Sequence, residues 1–163
     1  MKENKIYIIT DTHFGHEKMN EWSLRPADFN DQLWAGLDAL PENSILIHLG
    51  DVTIGADHRV ATKMVGYRFK KWLIRGNHDH HSVSWYVNNG WDSVSDEMVI
   101  DMFGHRILLS HMPLPKREGI TRNVHGHMHG GKSHGYPDFY DKDYHFEACP
   151  EVVGYKPVQL GKM

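Results

Sequence analysis

The chain has little cysteine, no long hydrophobic run and no excess of positive charge. Cys149 is the single cysteine, so no internal disulfide can form and a reducing compartment is the natural setting. No stretch approaches the roughly 18 consecutive apolar residues that a membrane-spanning helix needs, so no membrane partner is expected. Lys and Arg total 18 against 21 Asp and Glu, a net charge of −3. A nucleic-acid binder usually carries a basic stripe, which this balance does not indicate, so any phosphate-bearing substrate must be drawn by local charge. The first apolar run starts at Ile6, which leaves no room for a cleavable signal. With the lone cysteine, that makes the cytoplasm the expected location. No repeat, linker or low-complexity segment is present. The 163 residues suit one domain, residues 1–163, that buries a core without a separate cap.

Histidine, by contrast, is abundant, with 14 copies. His58, His80, His81, His105, His134 and His145 sit in polar stretches and are expected on solvated faces. His48 and His125 lie inside apolar runs and are expected in the core or behind a site. The others follow apolar runs. Ile6 to Ile9 leads into Asp11 and His13, Ile45 to Leu49 into Gly50-Asp51, and Trp72 to Ile74 into Gly76-Asn77-His78-Asp79. Ile107 to Ser110 leads into His111, and Asn123 to Gly126 into His127 and His129. A buried strand needs no imidazole or amide at its tip. Open α/β sheets place ligands beyond the carboxyl ends of their strands, so these tips can converge on one crevice.

The surrounding pattern predicts the elements. A strand over 5–10 is followed by a polar loop through Pro26. Phe29, Leu33, Trp34, Leu37 and Leu40 then recur at helical spacing from Asp28 until Pro41. A strand over 44–49 precedes a helix from Asp57, its candidate cap, to Gly66. A strand over 67–74 precedes a helix over 82–89 closed by Gly90, with Trp85, Tyr86 and Val87 expected against the sheet. After Trp91 the pattern is extended, over 93–95, 97–102, 106–110, 123–127, 144–148 and 152–160, with a hairpin turn at Phe103-Gly104-His105. Alternation followed by strands implies an α/β fold of two sheets packed face to face with helices outside.

In an extended segment residues i and i+2 point the same way, so Asp11 acts with His13 and His127 with His129, whereas Asn77 and His78 face opposite ways. Asp51 is the sole carboxylate at its tip and the natural bridge between two ions. The donors Asp11, His13, Asp51, Asn77, His111, His127 and His129 exceed the about four positions of a zinc site. They suit two cations roughly 3.5 to 4 Å apart, which lower the pKa of a shared water and yield a hydroxide near neutral pH.

In their order, Asp11-x-His13, Gly50-Asp51, Gly76-Asn77-His78-Asp79, His111 and Gly126-His127-x-His129 resemble the motifs of the calcineurin-like metallophosphoesterase superfamily. Asp11-Thr12-His13-Phe14-Gly15-His16, followed by Arg25-Pro26, resembles its small bacterial and phage branch. The resemblance implies a four-layer αββα sandwich of two mixed sheets flanked by helices. It assigns Asp11, His13, Asp51 and His129 to one metal, and Asp51, Asn77, His111 and His127 to the other. Manganese is the expected ion, and iron, zinc or nickel suit the same donors. The implied activity is hydrolysis of a phosphoester by the hydroxide, and His13 in the first motif favours a small or nucleotide-like phosphodiester. Val52-Thr53-Ile54-Gly55 lacks the aspartate and arginine that protein Ser/Thr phosphatases carry after this motif, which argues against phosphoproteins.

His78 is the candidate for protonating the leaving oxygen or stabilising the phosphoryl oxygens. Asp79 either orients His78 or stabilises the turn. Arg25 and His16 are candidate phosphate contacts, with surface placement as the alternative for both. Two other functions fit the same residues. One is a non-catalytic metal-binding scaffold; the other is a nuclease or nucleic-acid end-processing enzyme. For the latter the nearest basic clusters are Arg68, Lys70 and Lys71, and the pair Lys116-Arg117.

Overall fold

The regular alternation in the first half of the chain builds one sheet, and the strand-rich remainder builds a second. The computed structural model describes residues 5–132 and 135–162, so His134 lies outside the described residues. Strands β1 (Ile6–Ile9), β2 (Ile45–His48), β3 (Lys70–Ile74) and β4 (Ser93–Ser95) run parallel, and β9 (Val158–Gln159) pairs antiparallel with β1. Their order is β4-β3-β2-β1-β9. The second sheet has the order β5-β6-β7-β8, from β5 (Glu97–Met102), β6 (His105–Ser110), β7 (Arg122–His125) and β8 (His145–Glu147). Here β5 and β6 form an antiparallel hairpin, and β6, β7 and β8 are parallel. Phe103 (φ 54°) and Gly104 (φ 76°) make the tight turn whose two positive φ values match strand twist.

Both sheets are thus mixed, and helices flank them. Ile8, Ile47, Leu49 and Ile74 of the first sheet meet Ile107, Leu109 and Val124 of the second in a dry layer between them. On the other face of the first sheet, Ile9, Leu46 and Leu73 pack against α2 (Phe29–Asp38), α3 (Asp57–Val65) and α4 (Val83–Asn88) through Leu33, Leu37, Val60, Met64 and Tyr86. Burial of each such aliphatic or aromatic chain contributes roughly 1.5 to 3 kcal/mol.

Several local expectations are corrected. The loop before Pro26 contains a short helix, α1 (Met19–Trp22), anchored by buried Met19. Residues 152–160 are not one strand. Pro150 opens α5 (Pro150–Val153), and Gly154 (φ 81°) closes it before β9. Asp57 is the first residue of α3 and makes no cap bond, whereas Ser82 caps α4 by accepting from Trp85 N at 3.2 Å. On α4 only Tyr86 is buried, and Val87 faces outward because the helix is too short to turn a second face inward. His145 is buried, not solvated. Its Nδ1 accepts from Asp141 N at 3.0 Å and its Nε2–H donates to Leu114 O at 2.9 Å, beneath the stacked ring of Tyr140.

The register positions the site. Ile9 pairs with His48 and His48 with Leu73, so the tips of β1, β2 and β3 end level. In the second sheet Leu109 pairs with Val124, and Gly126 N donates to His111 O at 2.8 Å, aligning the tips of β6 and β7.

Candidate metal centre

The loops leaving β1 and β2 run side by side. Asp11 N donates to Gly50 O at 2.8 Å, His13 N to Asp51 O at 3.0 Å and Phe14 N to Val52 O at 3.0 Å. This course forces unusual backbone. Asp11, His13, Asp51, His127 and His129, five of the seven predicted donors, hold φ between 45° and 70°. The left-handed region costs a non-glycine residue on the order of 1 kcal/mol or more and is retained where surrounding structure imposes it, commonly at functional sites. Two close approaches require glycine. A Cβ at Gly76 would fall on the Asp51 carboxylate, and one at Gly126 on the Asp11 carboxylate and the Thr10 hydroxyl.

In Asp11, Asp51, His111 and His129 one side-chain atom is fastened by the protein and another is left toward a common centre. Asp11 Oδ2 accepts from Thr10 Oγ1 at 2.6 Å, His127 N at 2.8 Å and Cys149 Sγ at 3.5 Å, while Oδ1 is buried without a hydrogen-bond partner among the described residues. Asp51 Oδ1 accepts from His78 N at 2.8 Å, which leaves Oδ2. His111 Nδ1–H donates to Leu49 O at 2.8 Å and His129 Nδ1–H to Glu151 Oε1 at 3.0 Å, and each presents Nε2.

The presented atoms fall into two linked clusters. His13 Nε2 lies 3.7 Å from both Asp11 Oδ1 and Asp51 Oδ2, and His129 Nε2 lies 3.6 Å from Asp11 Oδ1. On the other side, His111 Nε2 is 3.4 Å from Asp51 Oδ2, 3.0 Å from Asn77 Oδ1 and 3.2 Å from His127 Nδ1. Most of these spacings are long for hydrogen bonds. They match the edges of a coordination shell whose metal–ligand bonds are about 2.0 to 2.2 Å. Asp51 Oδ2 belongs to both clusters. Cys149 falls within 4.8 Å of Asp11 and His129 donor atoms, yet its thiol bonds Asp11 Oδ2, the oxygen turned away from the cluster. Burial raises that thiol well above its ordinary value, so it stays protonated.

Charge follows the same geometry. Burial opposes ionisation of Asp11, but His111, His13 and His129 around it hold the carboxyl well below the usual range. Burial would likewise push His111 down, and the charges of Asp11 and Asp51 reverse this, raising it to about 9. Two buried carboxylates thus face several imidazoles, among which His111 is the one they raise furthest. An orphaned buried carboxylate oxygen, a shared carboxylate and a nitrogen-rich donor set fit a pair of divalent cations.

The network behind the donors includes residues that carry no sequence signal. Buried Glu151 accepts from both His129 Nδ1 and Arg25 Nε, the latter at 2.7 Å. Thr12 Oγ1 donates to Val52 O at 2.7 Å, so His48 Nε2–H donates to Thr12 at 2.9 Å and His48 Nδ1 accepts from Gly50 N at 3.1 Å. Burial holds His48 down at about 3, a neutral strut as its apolar setting implies.

The structure revises the placement expected for Arg25 and bears on the alternatives open for Asp79 and His16. Arg25 does not present its fork to a substrate. The guanidinium is buried, with Nη1 and Nη2 donating to Thr12 O at 3.0 Å and Asp11 O at 2.7 Å, so it props the first loop from behind. Asp79 makes no bond to the His78 ring. Its Oδ2 accepts from Asp51 N and Gly76 N, both at 2.8 Å, and its Oδ1 from Val52 N at 3.2 Å, clamping the tips of β2 and β3. His16 is half-buried with its ring 6.4 Å from that of His13, and burial together with the His13 charge lowers its pKa, weakening it as an anion contact. His78 is 44% exposed, and its Nε2 lies 4.0 Å from Asp51 Oδ2. A cleft of about 460 Å³ opens here, lined by His13, Asp51, Asn77, His78, His127 and His129. Met19, Trp22, Ser23, Ile54 and Lys132 complete it.

No protein-family profile matches the chain. An uncharacterized protein of Methanocaldococcus jannaschii is 26% identical over 172 residues, covering 98% of this chain and 89% of that one. Among solved structures, a protein of unknown function from Aquifex aeolicus is similar with a TM-score of 0.72 at 23% identity, over 96% of each chain. An archaeal phosphodiesterase is similar with a TM-score of 0.52 at 13% identity, over 96% of this chain and 98% of its own. Likeness at these identities is a likeness of fold, and it agrees with two mixed sheets flanked by helices. The chain has the calcineurin-like phosphoesterase fold.

Proposed function

We propose that this protein is a dinuclear-metal-dependent phosphoesterase that hydrolyses a small or nucleotide-like phosphodiester, with manganese as the working ion. The observation that carries the reading is Asp51 Oδ2, which stands 3.7 Å from His13 Nε2 and 3.4 Å from His111 Nε2 and so belongs to both donor clusters. Asp11, His13, Asp51 and His129 would hold one cation, and Asp51, Asn77, His111 and His127 the other. Two bound divalent cations supply a water acidic enough to ionise near neutral pH and positive charge against the phosphoryl oxygens.

The protein's own groups do the rest. His13 and His129 of the first cluster and Asn77 and His127 of the second all line the cleft, so substrate would reach both cations from it. His78 stands at the cleft, where its ring would protonate the departing oxygen. Asp79 keeps the turn that carries His78 against Asp51.

Hydrolysis of bis-p-nitrophenyl phosphate by protein supplied with manganese, against a chelator control, tests the reading. Turnover lost on chelation and restored by metal is the expected result. Bound metal without turnover above the control supports instead a non-catalytic scaffold.

A further inference from the structure

The candidate metal donors make up part of the cleft lining, and the rest of it is built differently. It comes from α1 and its following residue, with Met19, Trp22 and Ser23, and Ile54 adds to the apolar lining. Trp22 is 58% exposed although its neighbours Met19 and Ser23 are buried. A large indole left open at a cleft wall is a stacking surface. It is held on its other sides by His16, ring centroid 5.2 Å away, and by Lys18 Nζ, 5.8 Å from the ring. Beside it, Ser23 Oγ is buried without a hydrogen-bond partner among the described residues. A buried hydroxyl of that kind is costly unless something else completes it.

We propose that this wall is a subsite for the heteroaromatic base of a nucleoside phosphodiester, the base stacking on Trp22 and its edge bonding Ser23 Oγ, with the phosphate at the donor clusters. The proposal rests on the phosphoesterase reading and names the group that reading leaves open. Ring centroids step 6.4 Å from His13 to His16 and 5.2 Å from His16 to Trp22, so the indole lies no farther from the His13 ring than the two steps together, within reach of one nucleotide. A sugar would need several polar partners, and here one hydroxyl stands among Met, Trp and Ile. A duplex does not fit about 460 Å³. Lys132 on the lining adds positive charge for a phosphate.

The test uses the whole manganese-loaded protein and two esters with the same leaving group, thymidine 5′-(p-nitrophenyl phosphate) and methyl p-nitrophenyl phosphate. The wild type should prefer the thymidine ester in kcat/KM. Trp22→Ala should cut that preference roughly tenfold, chiefly through KM, the scale of one base–aromatic stack, and Trp22→Phe should restore most of it. A preference that Trp22→Ala leaves unchanged overturns the subsite while the phosphoesterase reading stands. Calorimetry with thymidine 5′-monophosphate against inorganic phosphate covers the opposite case. If neither ester is cleaved but the nucleotide binds more tightly than phosphate and loses that margin in Trp22→Ala, the subsite stands and the phosphoesterase reading falls. Thymidylyl-thymidine and a short single-stranded oligonucleotide as competitors then separate a free dinucleotide from a nucleic-acid end as the source. Competition by either supports the subsite, and failure of both to outcompete methyl phosphate overturns it.

Discussion

Glu151 stands between two donors, a guanidinium and an imidazole, and neither can be given up cheaply. Glu151→Gln keeps the shape and removes the charge, leaving Arg25 buried and unpaired and His129 without its carboxylate. Breaking a buried pair from one side costs roughly 3 kcal/mol, and loss of such an outer partner lowers metal affinity about 10- to 100-fold. Thermal unfolding and a manganese titration should show both effects in Glu151→Gln, and a wild-type affinity would show that His129 needs no orienting carboxylate. His78 is a different kind of residue, exposed and fastened only through its backbone. His78→Ala should keep its metal and slow turnover about 10²-fold, the usual loss for an acid–base group. Metal analysis showing it depleted would make His78 a ligand instead. The spacing of the donors pointed to these residues; nothing near Glu151 in the sequence did, since its partners lie 22 and 126 positions away.

Among the elements, the strands do the gathering and the loops do the aiming. Parallel register brings the tips level, and the loops then press together so closely that Gly76 lies against Asp51. In Gly76→Ala the new methyl must displace the shared carboxylate or the strand tip, at a cost of about 1 to 3 kcal/mol. The expected outcome is loss of bound manganese from both clusters together with a lower urea midpoint. A variant that binds two equivalents normally would show that Asp51 is not the bridge. An i, i+2 spacing aligns side chains only on extended backbone, and that is not what brings these candidate donors together. Asp11, His13, His127 and His129 are not extended, and left-handed turns point them inward. Helix α2 was legible because its apolar spacing is strong, whereas α1 and α5, with four residues each, carry too little periodicity to be seen.

For the whole molecule, three buried histidines set how stability varies with pH in the metal-free state. His48 is held at about 3 and His125 at about 4, mainly by burial, so both are neutral when folded and take up protons on unfolding below their ordinary value near 6.5. Their contribution is complete above that pH and is lost as pH falls toward 4, at about 1 kcal/mol per pH unit for each. His111 has the opposite sign. Burial opposes its charge, yet the Asp11 and Asp51 carboxylates raise it to about 9, so its contribution is complete below 6.5 and is lost as pH rises through 9. Urea midpoints of chelated protein should therefore peak between about pH 6 and 7. A midpoint that is flat from pH 7 to 5 would mean that His48 and His125 are not buried neutral. The two-sheet architecture was readable because strand runs and helical spacing are local signals, but which strands share a sheet, and that β9 returns to pair with β1, depends on contacts across the chain.

The sequence by itself supplied the candidate donors, oxygen- and nitrogen-bearing side chains whose place just after apolar runs put them at strand tips. It also determined the alternation that builds the first sheet. Only the tertiary structure decided which atom of each donor faces the centre, that Arg25 and Asp79 brace loops instead of meeting substrate, and that Glu151 stands behind His129. The physical reason is range. Residue type and periodicity act over a few positions, whereas a hydrogen bond that fixes a ring or a carboxylate is made with whatever remote segment the packed sheets bring within about 3 Å.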